Sequence, residues 1–229
     1  MNSESKKIRM FAGFDFKKSI KSFFRDTFRM PIYLLTHPIK GFDEFKREHT
    51  SKRYVAVFYL IMMIITQILA FNNNGFLVNN NNPDDFNLFL TIALVLFPVL
   101  IGTIGNWSST VLMDGKGTMS EIFRVICYSF FPYVWLGLLA TALSNFITID
   151  EIVFFEFFTI LGAVLLMYML FFGLMGIHEF GLLKTIMMIV STIVAIAVIL
   201  FIMLLFLSLV QQVYAYLISV YREFVMRFL

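Results

Sequence analysis

The chain has 229 residues, of which 59% are hydrophobic and 14% are charged, whereas soluble domains are about 45–50% apolar and about 25% charged. A chain of this size cannot bury so much apolar surface in a water-soluble globule. The composition therefore excludes a soluble enzyme, a disordered tail and a disulfide-stabilised secreted domain. The single cysteine, Cys127, excludes an intramolecular disulfide and thiol-ligand metal clusters. A polytopic membrane protein remains.

Charge is distributed unevenly along the chain. Residues 1–53 contain 13 of the 18 Lys and Arg residues and six acids, which gives a net charge of +7, whereas the rest of the chain is net negative. This segment contains no apolar run of the roughly 7–15 residues that a secretory signal peptide requires. We therefore expect residues 1–53 to form a permanent cytosolic part of the protein.

The basic segment also has a helical rhythm. Bulky apolar side chains recur at spacings of three and four, and basic side chains fall mostly between them. The apolar residues are Phe16, Ile20, Phe23, Phe24 and Phe28. The basic residues are Lys17, Lys18, Lys21 and Arg25. This pattern favours a helix in the headgroup plane that binds anionic lipids at the membrane surface. The alternative is a helix that packs against the protein's own loops. Residues 33–45, which follow, mix apolar and basic side chains and could also dock a cytosolic partner.

Five stretches are apolar enough to cross the hydrocarbon core, which takes roughly 20 residues. They are residues 54–71, 86–105, 122–146, 152–177 and 184–210. Because hydrocarbon offers no water to backbone groups, each must be helical. The sequence therefore predicts an all-α integral membrane bundle of five transmembrane helices with a basic amphipathic interfacial helix. Residues 211–229 are rich in Tyr and Gln and are predicted to form an interfacial tail; the alternative is one long final helix.

The Lys and Arg content of the loops predicts the orientation. Residues 72–85 and 147–151 contain acids but no Lys or Arg and are placed outside, whereas residues 106–121 and 178–184 each contain Lys and are placed inside. With the basic N-terminal segment inside, we expect a multi-pass cell-membrane protein with a cytoplasmic N-terminus and an external C-terminus.

The sequence offers little chemistry for catalysis. Apart from Lys184 at the first position of the fifth predicted span, Arg124 and Glu156 are the only charges within the predicted spans, and each lies close enough to a span end to reach the interface. His178 and Glu179 are adjacent, but no HExxH pattern or other ligand cluster accompanies them. Asp114–Gly117 lacks the spacing of a phosphate loop and is typical of a tight turn. We therefore expect no catalytic residues, no cofactor, no metal and no nucleic-acid partner.

Proline residues and hydroxyl side chains within the predicted spans are compatible with a second function, transport across the membrane. Pro98 and Pro132 lie inside predicted spans with small residues near them, a pattern that favours close helix packing and, less often, a substrate pathway. A transporter or channel component would need its polar groups to converge at mid-membrane. The candidates are Thr91, Thr103, Tyr133, Thr159, Tyr168, Ser191 and Thr192.

A set of residues in a fixed order resembles a known family. The set is Asn106–Trp107, Asp114–Gly115 with Gly117, and Tyr128 followed four residues later by Pro132; THPIKGFDEFKRE before the first span and SLVQQVYAYLISVY near the end complete it. Over roughly residues 35–220 the chain resembles the Yip-one domain family (Ypt-interacting proteins), most of all its bacterial branch.

The resemblance implies a non-enzymatic integral membrane protein. It suggests an adaptor, scaffold or accessory subunit that binds other membrane proteins, lipids or both, with sugar-transporter components as one candidate partner. The DLxGP-like element of eukaryotic members is absent, and Cys127-Tyr128 stands where those members have Gly-Tyr. Binding of small GTPases is therefore not implied. The alternative function is a small transporter or channel component that moves a substrate through the bundle.

Overall fold

The computed structural model describes residues 23–47, 51–79 and 81–228. This part of the chain contains no strand and seven α-helices, which are α1 (Met30–Thr36), α2 (Pro38–Arg47), α3 (Arg53–Asn73), α4 (Leu88–Val111), α5 (Met119–Leu143), α6 (Ile152–His178) and α7 (Leu182–Phe228). A π-helical turn, Arg25–Arg29, precedes α1. Helices α3 to α7 are long and apolar enough to span a membrane. The predicted all-α fold with five transmembrane helices is confirmed.

The bundle has two distinct ends. At the distal end, the N–H of Gly75 after α3 donates to Ser144 Oγ after α5 at 2.7 Å. The N-terminal end carries α1, α2 and the loops 112–118 and 179–181. Loops that were predicted to share a side of the membrane thus share an end of the bundle. Which end faces the cytosol stays a prediction.

Helix α5 is the centre of the bundle and packs against both α3 and α6. Val125 and Val134 are fully buried between these neighbours. A capping box fixes its start, because the Glu121 N–H donates to Thr118 Oγ1 at 3.3 Å and the Thr118 N–H donates to Glu121 Oε2 at 2.8 Å. The helix therefore begins at Met119, three residues before the predicted span.

Helix α4 extends further than the predicted span, which ended at residue 105. It continues to Val111, so Asn106 and Trp107 are helical rather than part of a loop. No Gly or Pro occurs between Gly105 and Asp114, which adopts a left-handed φ of 57°. The Gly115 N–H then closes the helix end by donating to the Thr110 carbonyl at 2.8 Å.

Helix α7 is a single helix of 47 residues, about 70 Å long at 1.5 Å per residue. It contains no Gly or Pro, so nothing in the backbone interrupts it where the span was predicted to end, at Val210. The secondary structure follows the long-helix alternative. The placement of residues 211–229 at the membrane interface stays a prediction.

Helix α2 is packed into the N-terminal end of the bundle. Phe42 is 0% exposed and Phe45 is 1% exposed. Two glycines of α6 leave the space that the Phe42 ring occupies. A Cβ on Gly176 would lie 2.7 Å from Phe42 Cβ, and a Cβ on Gly173 would lie 3.0 Å from Phe42 Cε1. Part of the basic N-terminal segment therefore belongs to the folded core.

Candidate functional site

The side chain of Asn106 connects three helices at the N-terminal end. It is 2% exposed and lies near the end of α4. Its Nδ2 donates to Thr192 Oγ1 of α7 at 3.1 Å, and its Oδ1 lies 3.0 Å from His178 Nε2 of α6. A buried amide is costly unless both its oxygen and its nitrogen are paired. Asn106 meets that requirement only when α4, α6 and α7 are assembled.

His178 is the buried centre of this arrangement, at 1% exposure. Its Nδ1 accepts a hydrogen bond from the Gly117 N–H at 3.2 Å. Its Nε2 must then carry the proton that is donated to Asn106 Oδ1. These two partners define a neutral imidazole with a single tautomer, which ties the loop between α4 and α5 to the end of α6.

The two glycines of the Asp114–Gly117 turn are required by the histidine ring. A Cβ on Gly117 would lie 2.7 Å from His178 Cε1, and a Cβ on Gly115 would lie 2.7 Å from His178 Nδ1. Any larger residue would push the loop off the ring. The turn predicted from the sequence is present, and its glycines serve close packing on His178 rather than phosphate binding.

Glu179 joins a second set of elements next to this core. Its carboxylate accepts from Lys116 Nζ at 2.6 Å and from Lys46 Nζ at 2.9 Å. These two hydrogen bonds lower the pKa of Glu179 from its ordinary value of 4.5 to about 2. Glu179 also adopts a left-handed φ of 57°, a conformation that favours glycine at helix ends. The ion pairs give a reason for a charged residue at this strained position.

We expect acidification to loosen α2 from the rest of the N-terminal end. Because the pKa of Glu179 is depressed in the folded protein, its ion pairs contribute fully above pH 4.5 and are lost as the pH falls towards about 2. Spin labels at Ile39 and Leu182 should show a broader distance distribution over that range. Glu179→Gln should give the broad distribution already at neutral pH, with Glu156→Gln as the control. If the distance distribution of Glu179→Gln still broadened on acidification, the pH dependence could not be attributed to Glu179.

The other residues of the family-like set lie outside this cluster. Tyr128 is 1% exposed, and its hydroxyl accepts from the Lys52 N–H at 3.0 Å, which fixes the segment before α3 against α5. Pro132 is buried within α5. Trp107, by contrast, is 44% exposed on the surface of α4. The structure thus brings Asn106, Gly115 and Gly117 together, with Asp114 in the same turn. Trp107, Tyr128 and Pro132 lie apart from them.

The residues predicted to bind the membrane surface are described only in part. Phe16, Lys17, Lys18 and Lys21 lie outside the described residues. Phe23 packs on α3, with its ring centroid 5.9 Å from that of Tyr54, whereas Phe24 is 58% exposed. Arg25 is exposed beside Asp26. The described part of this segment therefore both contacts its own bundle and presents an exposed ring and cation.

The charges and hydroxyls within the spans are dispersed. Arg124 bonds to Ser51 at the N-terminal end, with Nη1 3.1 Å from its carbonyl oxygen, while Glu156 is exposed near the distal start of α6. Most of the hydroxyls proposed for transport bond to their own helix, as Thr103 Oγ1 does to the Val99 carbonyl at 2.6 Å. Among the described residues, no three His, Cys, Asp or Glu side chains come close enough to hold a metal ion.

Sequence reasoning did not identify His178 and Glu179 as the residues around which this end is organised. Both were placed in a loop, whereas His178 is the last residue of α6. A signal was present in the sequence, because a histidine directly after an apolar span has to find partners for two ring nitrogens. What was lacking was the knowledge that α4 and α6 end side by side.

The comparisons with known proteins identify the family. Nothing matches the chain among the curated proteins or the solved structures. The family model of the Yip1 domain matches residues 32–220, which include α2 and all or most of every membrane helix. The described residues form five helices that are long and apolar enough to cross a membrane. The chain is therefore a multi-pass membrane protein that belongs to the Yip1 domain family.

Proposed function

We propose that this protein is a non-enzymatic adaptor or accessory subunit of the cell membrane, and that α7 docks onto a membrane helix of a partner protein. The observation that carries the proposal is the exposure of α7. Every residue from 201 to 217 is exposed with respect to the described chain. The most apolar stretch of α7 is 0% buried, against 22–56% for the other four spans.

The connection of α7 to the bundle is confined to its first half. Ser191 Oγ accepts from Ser109 Oγ of α4 at 2.8 Å, and Thr192 binds Asn106. Beyond residue 200 the helix leaves these contacts while remaining apolar as far as Val210. The first half therefore anchors α7 to its own bundle, and the second half is available to another protein.

One face of the exposed half has the residue types that pack helices together in lipid. Ser208, Gln212, Ala215 and Ser219 follow each other at spacings of four, three and four, which places them on one side of the helix. Association of membrane helices is driven by close approach at small residues and by hydrogen bonds between polar ones. This stripe starts at the end of the apolar stretch of α7 and continues beyond Val210. It is the docking face that we propose, and the end of a membrane-spanning helix is the occupant that it fits.

The net charge of +7 on residues 1–53 favours an orientation in which the N-terminal end of the bundle faces the cytosol. In that orientation the basic segment would meet the anionic lipid surface. By resemblance to the bacterial branch of the family, components of sugar transporters are the partner class to examine first.

Photo-crosslinking from the native membrane tests the docking face. A photoreactive residue at Gln212 or Ala215 should give an adduct with a discrete protein, at a yield at least roughly fivefold above that from its own control. The control for Gln212 is Tyr214 and that for Ala215 is Leu217, and each control lies two residues further on, about 200° around the helix. The two test positions and the two control positions are all exposed, so the accessibility of the photoreactive residue is matched. Adducts with lipid alone, equal yields from both faces, or an adduct with a second copy of the chain would overturn the adaptor proposal.

A cavity at the distal end supports a second candidate, a small transporter or channel component. Its volume is about 600 Å³, and Gln67, Asn74 and Thr91 line it together with Pro98. The Oδ1 of Asn74 is buried without a hydrogen-bond partner among the described residues. The apolar side chains of Val99 and Phe130 also line the cavity, and of the seven hydroxyl residues considered for transport only Thr91 does so. The adaptor proposal therefore takes precedence.

A further inference from the structure

A second pocket lies at the N-terminal end, outside the Asn106–His178 cluster and far from the docking face of α7. It has a volume of about 460 Å³ and is enclosed by the turn Arg25–Arg29, by α1, by the residue that precedes α3 and by α5. Its charged lining consists of Arg25, Asp26, Arg29 and Lys52, and Met30, Tyr33 and Tyr128 complete it. Nothing in the proposed adaptor function requires this pocket.

The lining carries an excess of positive charge. Three cations, Arg25, Arg29 and Lys52, face one carboxylate. That carboxylate, Asp26, is already engaged by Lys52 Nζ and by the Tyr54 hydroxyl, which donates to it at 2.7 Å. Burial alone would raise the pKa of Asp26, but the hydrogen bonds from Lys52 and Tyr54 outweigh it and hold the pKa below its usual value. Asp26 therefore stays ionised, and a net charge of about +2 remains in the pocket.

Arg29 supplies the donors that a ligand would need. Among the described residues it has no ion-pair partner, and its side chain lines the pocket. A guanidinium group offers several N–H donors in one plane, a geometry that matches two oxygens of a phosphate. Lys52 adds a point charge, because its ammonium group is shared with only one carboxylate.

The position of the pocket relative to the membrane indicates which phosphate-bearing ligand it would meet. Lys52 directly precedes the first residue of α3, so the pocket lies where a membrane span begins. Phospholipid phosphates are found at that level, and Arg and Lys side chains near span ends reach it. Phe24 is 58% exposed beside Arg25 and offers an apolar surface next to the charges.

We propose that this pocket binds a phosphate-bearing anion, and specifically the headgroup phosphate of an anionic phospholipid. The phosphate is held by Arg29 and Lys52, with Arg25 at the mouth. The site is specific in position, which distinguishes it from a general attraction of the basic N-terminal segment to anionic membranes. It is also independent of the docking face, so failure of one proposal leaves the other in place.

Retention of lipid by the intact chain tests the proposal. The full-length protein is reconstituted with phosphatidylcholine and phosphatidylglycerol, extracted gently and analysed by native mass spectrometry. One phosphatidylglycerol should remain bound per chain, and Arg29→Gln should lower its retention roughly tenfold, as expected for the loss of a charge-assisted contact. Asp26→Asn should raise retention, because it releases Lys52 from its partner.

The matched control is Arg47→Gln, which removes the same charge from an exposed arginine that pairs with Asp43 within α2. Equal retention of the two lipids, or equal losses in Arg29→Gln and Arg47→Gln, would overturn the proposal. Inorganic phosphate provides the second arm, with the protein in phosphatidylcholine alone. If millimolar phosphate protects the protein against heating as well as phosphatidylglycerol does, the site takes a soluble anion and the lipid assignment is wrong.

Discussion

Replacement of Phe42 by alanine should cost about 3–5 kcal/mol of the free energy of unfolding, the range seen when a fully buried aromatic side chain is truncated. The ring is 0% exposed. It fills the space that Gly173 and Gly176 leave on the surface of α6. The helix cannot close this space by moving nearer, because α2 is also held by Phe45 against Tyr128 at a centroid distance of 5.1 Å. A cavity would therefore remain.

Titration with SDS in mixed micelles would measure this loss. Ile39→Ala is the matched control, because Ile39 lies on the same helix but is 66% exposed; its replacement should change stability by less than about 0.5 kcal/mol. If both variants lose the same amount, α2 is not part of the folded core. The opposite change, Gly176→Leu, should detach α2 by filling the site of the ring, which spin-label distances between α2 and α6 would reveal.

Replacement of His178 by phenylalanine should destabilise the bundle by about 2–6 kcal/mol, although a ring of similar size fills the site. The reason is the loss of partners, since Asn106 Oδ1 and the Gly117 N–H would both remain buried without a hydrogen bond. Each such orphaned group costs about 1–3 kcal/mol. The same SDS titration measures the effect.

His37→Phe is the control for this substitution, because His37 is exposed and its Nδ1 lies 2.9 Å from the neighbouring Thr36 hydroxyl. A double variant, His178→Phe with Asn106→Leu, should lose less than the sum of the two single variants, since it removes the acceptor as well as the donor. Strict additivity would show that the two side chains do not depend on each other.

Sequence reasoning was sufficient for the membrane architecture because a span is a local property. A stretch such as residues 54–71 needs only length, apolar composition and the absence of charge to be recognised. The turn at Asp114–Gly117 was equally accessible, since its residue types are those of tight turns. The predicted helix ends were less accurate. Helix α4 continues to Val111 because no Gly or Pro between Gly105 and Asp114 ends it.

The candidate site could not be predicted in the same way, because it depends on which helices are neighbours. The role of His178 requires α4 and α6 to end beside one another, and a single sequence does not state that pairing. Phe42 belongs to a stretch for which the sequence left docking of a cytosolic partner open, whereas its ring is buried against α6. An amphipathic pattern shows which face of a helix is apolar, but it does not show what covers that face.

The unbroken course of α7 gives the molecule a lever arm. The half-buried positions in the first half of α7 end at Leu200, and roughly 30 further residues extend about 45 Å beyond that point at 1.5 Å each. If α7 tilted by about 10° relative to the bundle at that point, its C-terminal end would move by roughly 8 Å over such a length. A small repacking around Asn106 and Thr192 would thus be magnified at the opposite extremity, without any hinge in between.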